Sequence, residues 1–406
     1  MKEARTIIYI SREVERALGT MPSADYRIVT NRTPFGEAIR KRYPEFVTLV
    51  EGEANGELLD TAKLLEHPET KKLIASITSP AILVFKNTVL IESACKENGW
   101  TLLNPSAALS DEVEAKMTQV EWLGELAKKY LPAHIVAPSK DLKWEKQPRI
   151  IQWAHGHTGG GTTLINSQKE LEALQAKFPD RMARSTEYIQ GPSFTVSAVV
   201  TDDKVLLGNP SYQITGLPPF TDNPLATVGN DWSVAHDLIS TSEHEAIEEM
   251  VGAIGKKLSA SGWRGLFGID MIYDNSRNHM YLIEINARQP ASVPLESAFQ
   301  EAYRQQGLPG LTIFEAHVKA LLGETLNEPL IPINDGAQIV QRVTKAFDHA
   351  SPEVAEALEE AGYTVISYEN TQPNADLMRI QSAKGIIERH GKLNKRGEQI
   401  QELLEG

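Results

Sequence analysis

Residues 265–288, which read GLFGIDMIYDNSRNHMYLIEINAR, decide the fold of this 406-residue chain. Two largely apolar runs, GLFGIDMIY and HMYLIEINAR, flank the polar stretch DNSRN. This pattern predicts two strands joined by a turn. Folded back as a hairpin, the strands bring Asp270 opposite Glu284, within a residue or two of register. Asn286 lies two residues beyond Glu284 and therefore shares its face of the strand.

The two carboxylates need a positive partner. Alternation along the strands predicts that Met280 and Leu282 share the face of Glu284, and that Ile272 lies beside Asp270. Two acids facing each other in apolar surroundings repel and are costly to desolvate. A hard divalent cation suits these oxygen ligands, and Mg²⁺ usually binds together with phosphates. Solvated acids on a half-exposed strand pair are the alternative, but both runs are apolar on both faces, which is typical of buried strands.

Composition narrows the classes of function. The length predicts two or three domains, and 41% hydrophobic with 23% charged residues is typical of a globular protein. A net charge of −13 argues against a nucleic acid or an anionic membrane as partner. Because no apolar run reaches membrane-spanning length and the first residues lack an apolar leader segment, we expect neither a membrane span nor a secretory leader. The single cysteine, Cys95, is typical of a reducing compartment, so we predict a cytoplasmic protein.

The order of segments predicts an α/β protein with three parts. Residues 1–107 alternate β-rich runs such as TIIYI and AILVF with helical stretches, including one helix over 57–77, and form an N-terminal α/β domain. We expect the core over residues 108–330, with a lid at about 133–190. Residues 331–406 form a C-terminal segment packing on that core.

Within the core, Ser110 is predicted to cap a helix that begins DEVEAKM. A strand, PRIIQWA, is followed by the Gly-rich loop HGHTGGGTT at residues 155–163. Consecutive glycines let backbone N–H groups turn together toward an anion. Such a loop is as often an exposed hairpin tip, and it is not a Walker A loop because no Gly-Lys-Ser/Thr follows. The tract from Tyr212 to Trp232 is predicted to be an ordered irregular loop that faces the substrate.

The succession of motifs resembles the ATP-grasp superfamily. The Gly-rich loop, then EYIQGPSFTV, then GLFGIDMIYD, then LIEINARQPAS follow in the family's order over roughly residues 110–325. The resemblance implies an ATP-grasp fold with a preceding N-terminal α/β domain and a C-terminal extension. It also implies the chemistry of a carboxylate–amine ligase that uses ATP and one or two Mg²⁺ ions, with Mn²⁺ as the alternative ion.

The resemblance carries residue roles with it. Metal ligands would be Asp270, Glu284 and Asn286, and Arg288 would be the catalytic residue that stabilises charge on the transferring phosphoryl group or the acyl-phosphate. ATP would be bound by a helix-start lysine, the strand before the Gly-rich loop, the loop itself, an adenine strip and a ribose contact. These residues are Lys116, Gln152, His157, Thr158, Gly159, Gly160, Gly161, Thr162, Glu187, Tyr188, Ile189 and Ser193. Taken alone, Lys116 would be a solvated helix lysine.

The chain departs from the family pattern at two positions. The family usually has a lysine in the strand before the Gly-rich loop, where this chain has Gln152, which supplies no charge. The glutamate that grips the ribose hydroxyls is replaced by Ser193, which can make only a weaker contact. This chain therefore resembles a divergent branch in which the acids, Lys116 and Arg288 must contribute more.

The predicted reaction activates a carboxylate as an acyl-phosphate and joins it to an amine of an amino acid or peptide, with release of ADP and phosphate. A non-catalytic ATP-binding scaffold or sensor and an ATP-grasp phosphoryl-transfer enzyme are the alternatives. The expected partners are small-molecule carboxylate and amine substrates, and homodimers are common in families of this kind. Arg288 and Arg264 are candidates for contacts with the substrate acid.

Overall fold

A parallel α/β layer opens the chain in the computed structural model, which describes residues 5–53, 57–154 and 161–406. Its five strands run in the order β3-β2-β1-β4-β5 and all pair in parallel. The elements are β1 (Thr6–Ser11), β2 (Tyr26–Asn31), α1 (Pro34–Arg42), β3 (Val47–Val50), α2 (Thr61–Glu66), α3 (Pro68–Ala75), β4 (Pro80–Val84), α4 (Val89–Asn98) and β5 (Thr101–Leu102). The predicted α/β layer is confirmed. The single helix predicted over 57–77 is wrong, because Pro68 cannot continue a helix and instead begins a second one.

Three short helices lead from this layer into the next part of the chain. They are α5 (Ala107–Glu114), α6 (Lys116–Leu123) and α7 (Glu125–Tyr130). The cap predicted at Ser110 is wrong, since Ser106 accepts a hydrogen bond from the Leu109 N–H and starts the helix four residues earlier. Ser110 instead donates from its hydroxyl to the Ala287 carbonyl oxygen at 2.6 Å, which fixes α5 against the end of the strand that carries Glu284.

A small antiparallel sheet follows, with strand order β6-β9-β7-β8. Its elements are β6 (His134–Pro138), β7 (Arg149–Trp153), β8 (Thr162–Ile165), α8 (Gln168–Lys177) and β9 (Met182–Glu187). Ser167 caps α8 by accepting from the Glu170 N–H. One face of this sheet buries a small apolar cluster that includes Ile151 and Trp153.

A nine-stranded sheet dominates the rest of the molecule, with the order β15-β14-β10-β12-β13-β16-β18-β17 and β11 paired to β10, and β19 and β20 form a separate two-stranded sheet. The elements up to residue 321 are β10 (Ser193–Val200), β11 (Val205–Leu207), β12 (Ser211–Thr215), β13 (Thr227–Asp231), α9 (Trp232–Leu238), α10 (Thr241–Ala260), β14 (Gly265–Asp274), β15 (His279–Asn286), α11 (Val293–Gln305) and α12 (Ile313–Leu321). The later ones are β16 (Ala337–Arg342), α13 (Pro352–Glu360), β17 (Thr364–Ser367), β18 (Asp376–Ser382), β19 (Ile387–Arg389), β20 (Lys392–Leu393) and α14 (Lys395–Glu405).

The tract from Tyr212 to Trp232 is only in part the irregular loop that the sequence predicts. It supplies β12 and β13, which lie in the middle of the large sheet, and only residues 216–226 between them are irregular. Its aromatic residues Tyr212, Phe220 and Trp232 are buried, with Phe220 fully inaccessible. Their burial explains the aromatic content as core packing.

Position within the large sheet accounts for the apolar character of the hairpin strands. β14 lies between β10 and β15, and one face of these strands packs in the largest hydrophobic cluster together with α10. The opposite face carries the acids. Among the described residues, no helix combines the length and the apolar composition needed to cross a membrane.

Candidate active site

The hairpin of β14 and β15 has the predicted register. Asp270 lies directly opposite Glu284, and Gly268 lies opposite Asn286. The register then shifts, so that Met271 pairs with Leu282 and Ile283 is the extra residue on β15. This is a β-bulge next to the acids, a position where bulges commonly redirect a side chain.

The bulge overturns one expectation about the site. We predicted that Met280 and Leu282 would share the face of Glu284. Because one extra residue reverses the alternation, they lie on the opposite face, buried in the core beside Met271. The face of Asp270 and Glu284 is therefore more polar than the sequence suggested, and all four side chains of the site, Asp270, Glu284, Asn286 and Arg288, are half-buried rather than enclosed.

Asp270 is held by neutral donors. Its Oδ1 accepts from the Thr195 hydroxyl at 2.7 Å, and its Oδ2 accepts from Asn286 Nδ2 at 3.2 Å. Burial, followed by the neighbouring charge of Glu284, raises the pKa of Asp270 to about 6. The carboxylate pair is thus short of positive charge on the side of Asp270.

Glu284 forms an ion pair with Lys116, whose Nζ lies 2.8 Å from Glu284 Oε1. Lys116 is the first residue of α6 and is only 7% exposed, so it is not a solvated helix lysine. Burial lowers the pKa of this ammonium group, and the charge of Glu284 opposes that effect. Burial of Glu284 in turn favours its neutral form, but the charge of Lys116 outweighs it and holds the pKa of Glu284 below its usual value.

Arg288 extends the charged cluster toward the N-terminal layer. It pairs through Nη1 with Glu114 at the end of α5, and Glu114 also accepts from Lys86 Nζ at 2.6 Å. Arg264 does not join them. Its Nε donates to Asp202 at 2.7 Å on an exposed surface, so the expectation that Arg264 lies near the substrate acid has no support.

The strands on either side of the Gly-rich loop present a polar row toward the acids. Gln152 on β7 pairs in register with Thr162 on β8 and with Arg184 on β9. Gly161 closes the hairpin, since its carbonyl accepts from the Trp153 N–H at 2.9 Å. The loop positions predicted to contact phosphate at His157, Thr158, Gly159 and Gly160 lie outside the described residues.

Arg184 is the main site residue that sequence reasoning missed. It is 1% exposed, and it donates from Nε and Nη2 to Gln152 Oε1 at 3.0 and 2.8 Å. Its Nη1 donates to Gln119 Oε1 at 3.0 Å, and its Nη2 also donates to the carbonyl of Ile283, the bulge residue, at 3.1 Å. Burial lowers the pKa of Arg184 to about 10, and the charge of Glu284 opposes that change. The available signal was a cation inside the β-rich run ARSTEYI.

The predicted adenine strip lies at the end of β9. The N–H groups of Glu187 and Tyr188 donate to the carbonyls of Ala133 and Pro148, each at 3.2 Å, and Ile189 is buried. Ser193 begins β10 and pairs with Ile272, two residues along β14 from Asp270, so it lies on the face of the acids.

A cleft of ≈ 720 Å³ opens beside this strip, lined among others by Glu187, Arg277, His279 and Tyr281. His279 and Tyr281 pair with Asp274 and Ile272, which places the cleft on the same sheet face as Asp270. Glu187 accepts two hydrogen bonds from Arg277, at 2.6 and 2.8 Å.

The donor set matches Mg²⁺ better than a metal held by protein alone. No group of three His, Cys, Asp or Glu side chains in the described part of the chain is arranged to hold a metal ion. Asp270, Glu284 and Asn286 offer two carboxylates and one amide, all oxygen donors. Mg²⁺ usually takes one or two carboxylates and completes its shell with water and substrate phosphates, so these residues fit it.

Comparison with known proteins agrees with this geometry. The sequence profile of the ATP-grasp domain matches residues 114–292. All the candidate residues, from Lys116 to Arg288, fall inside the matched residues. A search of curated protein sequences finds no match to the chain.

Solved structures share the ATP-grasp fold over essentially the whole chain. N5-carboxyaminoimidazole synthetase from Staphylococcus aureus superposes with a TM-score of 0.65 at 13% identity, covering 100% of this chain and 98% of that one. L-amino acid ligase from Bacillus licheniformis gives 0.62 at 12% identity, with 99% and 98% coverage. The carboxyaminoimidazole ribonucleotide synthase from Aspergillus clavatus, solved with ATP, gives 0.64 at 14% identity, with 99% and 98% coverage. The predicted fold class, an ATP-grasp core preceded by an α/β layer, is confirmed.

Proposed function

We propose that this protein is an ATP-dependent ligase that activates a carboxylate as an acyl-phosphate and joins it to an amine, releasing ADP and phosphate. The observation that carries the proposal is the shared face of Asp270, Glu284 and Asn286, with Lys116 and Arg288 at its edges. A carboxylate is a poor electrophile, and phosphorylation gives it a good leaving group. Such transfer needs positioning and charge neutralisation more than covalent help from the protein.

The acids would hold one or two Mg²⁺ ions, with Mn²⁺ able to take the same oxygen ligands. The metal would supply positive charge that neutralises the phosphates during transfer. Asn286, which now donates to Asp270, would turn its amide oxygen toward the ion. The Thr195 hydroxyl donates to Asp270 and keeps its carboxylate in place. Asp270 would therefore be oriented by a residue that does not itself bind the metal.

Two cations of the chain would act on the reacting groups. Lys116 now neutralises Glu284, and once a cation takes that role the ammonium group would turn to a phosphate oxygen. Arg288 is fixed by Glu114 and would stabilise the phosphoryl group or the acyl-phosphate. Its guanidinium suits a planar, two-point contact with such an anion.

The nucleotide would lie between the small sheet and the hairpin. Gln152, Gly161 and Thr162, together with the loop residues His157, Thr158, Gly159 and Gly160, would line the phosphates. Glu187, Tyr188 and Ile189 would border adenine at the ≈ 720 Å³ cleft, with Ser193 near the ribose. Because two N–H groups of the strip are already bonded within the small sheet, base recognition would rest on its remaining backbone groups.

The substrates are proposed only as classes. The structural neighbours include enzymes described as N5-carboxyaminoimidazole synthetase and as L-amino acid ligase, and at 13% and 12% identity neither substrate is assigned to this chain. We retain an amino acid or peptide as the amine-bearing partner. We also propose the division into residues 1–107, 108–330 with a lid at about 133–190, and 331–406, a cytoplasmic location and a homodimer.

Turnover with a trapping reagent tests the proposal. Purified protein is incubated with Mg²⁺, ATP and panels of carboxylates and amines, with and without hydroxylamine. Carboxylate-dependent ADP release together with hydroxamate is expected, since hydroxylamine intercepts an acyl-phosphate. Nucleotide binding without turnover under any pairing would favour the scaffold, and phosphate transfer to a hydroxyl would favour the phosphoryl-transfer enzyme.

Matched variants connect turnover to the hairpin. Asp270→Asn and Glu284→Gln remove one charge each and are expected to abolish Mg²⁺-dependent turnover while the protein still folds. Glu248→Gln makes the same chemical change on the exposed face of α10 and should leave turnover intact. Normal turnover in both hairpin variants would contradict the assignment of the site.

A further inference from the structure

Arg184 is a buried cation without a carboxylate in contact. Its guanidinium donates to two glutamine oxygens and one backbone carbonyl, and among the described residues no acid accepts a hydrogen bond from it. Neutral acceptors satisfy the N–H groups, and the nearest opposing charge is that of Glu284, which already forms an ion pair with Lys116. Burying a charge without a carboxylate of its own costs several kcal/mol. A retained charge of this kind points to an anion that the site is built to receive.

The position of Arg184 in the small sheet shows that it can supply the positive charge absent at Gln152. The resemblance to ATP-grasp enzymes implies a lysine at the position of Gln152. Arg184 is the direct cross-strand neighbour of Gln152, and its side chain folds back onto the glutamine oxygen. Adjacent strands lie about 4.8 Å apart. A positive charge is therefore present at this corner of the site, displaced by one strand onto β9.

Arg184 also reaches the strand that carries the acids. Two parallel links join α6 to β15, and both begin on one face of the helix because Lys116 and Gln119 are three residues apart. Lys116 binds Glu284 directly. Gln119 binds Arg184, which donates to the carbonyl of Ile283, the residue before Glu284. The contacts of Gln119 and Arg184 thus fix the bulge at Ile283, and the bulge orients Glu284 toward Lys116.

We propose that Arg184 is the positioning cation of the nucleotide site: it supplies from β9 the charge that Gln152 lacks, and it holds the bulged segment that aims Glu284. This inference rests on the proposed use of Mg²⁺ and a nucleotide. Arg184 acts through the field at the phosphates and through Ile283, and its buried N–H groups make no direct contact with the reacting atoms.

Binding of Mg·ADP, followed by calorimetry, tests the electrostatic part without any acyl substrate. Arg184→Gln should weaken Mg·ADP binding by at least about tenfold. Arg184→Lys keeps the charge without the planar fork, so it should retain more affinity than Arg184→Gln. Arg149→Gln is the matched control. Arg149 is a buried arginine of the adjacent strand β7 that bonds to Ser185 within the small sheet and to Glu145, and among the described contacts none joins it to the hairpin.

A charge-transposition variant distinguishes the field from general damage. In Gln152→Lys/Arg184→Gln the cation returns to the position that the resemblance implies. This double variant should recover Mg·ADP affinity to within about threefold of the wild type. A folded double variant that binds as weakly as Arg184→Gln, or an Arg149→Gln loss as large as that of Arg184→Gln, would overturn the electrostatic role.

Hydrogen–deuterium exchange of the protein without nucleotide tests the positioning part. Peptides covering β15 should exchange faster in Arg184→Gln than in the wild type, and at the wild-type rate in Arg149→Gln. Equal protection of β15 in all three proteins would overturn this part. If the wild type binds no Mg·ADP at all, the proposed function fails, and the exchange experiment still decides whether Arg184 holds the bulge.

Discussion

Glu296 on α11 offers a test of the energetics that is independent of catalysis. It is 1% exposed, and its Oε1 accepts from both the backbone N–H and the Nδ2 of Asn209, at 2.9 and 3.1 Å. Asn209 in turn bonds to the backbone of Ile331 and Ile333. Burial raises the pKa of Glu296 from 4.5 to about 7, and the hydrogen bonds from Asn209 only partly oppose this.

The raised pKa of Glu296 determines how the free energy of unfolding depends on pH. The folded state binds the proton of Glu296 more tightly than the unfolded state, so the stabilising contribution is complete below about pH 4.5 and is lost as pH rises to about 7. Each pKa unit corresponds to about 1.4 kcal/mol, so the shift of roughly 2.5 units amounts to about 3 kcal/mol at pH 8. Glu296→Gln keeps an oxygen for Asn209 and removes the charge. The variant should therefore be more stable than the wild type at pH 8 by up to about 3 kcal/mol, and nearly equal to it at pH 5.

Buried His317 also makes the free energy of unfolding depend on pH, so the variant must be compared with the wild type at each pH. Burial lowers the pKa of His317 to about 3, and its Nδ1 accepts from the Leu266 N–H at 3.0 Å. A lowered histidine pKa gives stability that is present above about pH 6.5 and is lost as pH falls, which is the opposite slope to that of Glu296. The two slopes offset each other between about pH 4.5 and 6.5 in the wild type. Only the difference between wild type and variant isolates Glu296.

Equilibrium urea denaturation at pH 5, 6.5 and 8 measures the free energy of unfolding of both proteins. Glu301→Gln, on the exposed side of the same helix, is the control and should change stability by less than about 1 kcal/mol at every pH. A Glu296→Gln difference that does not vary with pH, or a variant less stable than the wild type at pH 8, would refute the burial argument.

Three further predictions concern the site. Asp270→Asn relieves the repulsion with Glu284, so the protein without ligand should melt no lower than the wild type while Mg·ADP no longer raises its melting temperature; a retained ligand shift would contradict metal binding at Asp270. Ser193→Glu supplies the carboxylate that the ATP-grasp resemblance implies at the ribose and should tighten Mg·ADP binding several-fold by calorimetry. Unchanged affinity would remove Ser193 from the ribose contact. Gly191→Ala would place a Cβ 1.8 Å from the Tyr273 carbonyl oxygen and should cost at least about 1–3 kcal/mol in urea denaturation, while Gly252→Ala, with open space around it on α10, should be neutral or stabilising.

The sequence predicted those features that depend on local pattern. The hairpin register follows from two apolar runs and a short polar turn, and it is correct at Asp270 and Glu284. The bulge at Ile283 was not predictable, because one extra residue in a strand apolar on both faces leaves no signature in the alternation. It nevertheless decides which side chains accompany the acids.

Features that depend on tertiary pairing were missed. Ser211–Thr215 alternates polar and apolar residues and could have been assigned as a strand, but the prolines around it favoured a loop. The role of Arg184 depends on β9 pairing with β7 and approaching β15, contacts between residues far apart in sequence. Its position in a β-rich run indicates burial at most, and it gives no hint of the partner.

The charged cluster is most simply understood as an arrangement completed by its ligand. Asp270 and Glu284 face each other on one side of the sheet, while Ile269 and Ile285 beside them are fully buried on the other. Apolar packing around Ile269 and Ile285 stabilises these strands, although Asp270 and Glu284 repel each other on the opposite face. Local conflicts of this kind are expected where function requires them. Arg184 adds a cation that donates to no carboxylate in the described structure. Under the proposed function, a Mg²⁺-bound polyphosphate would supply a cation beside Asp270 and an anion in the field of Arg184.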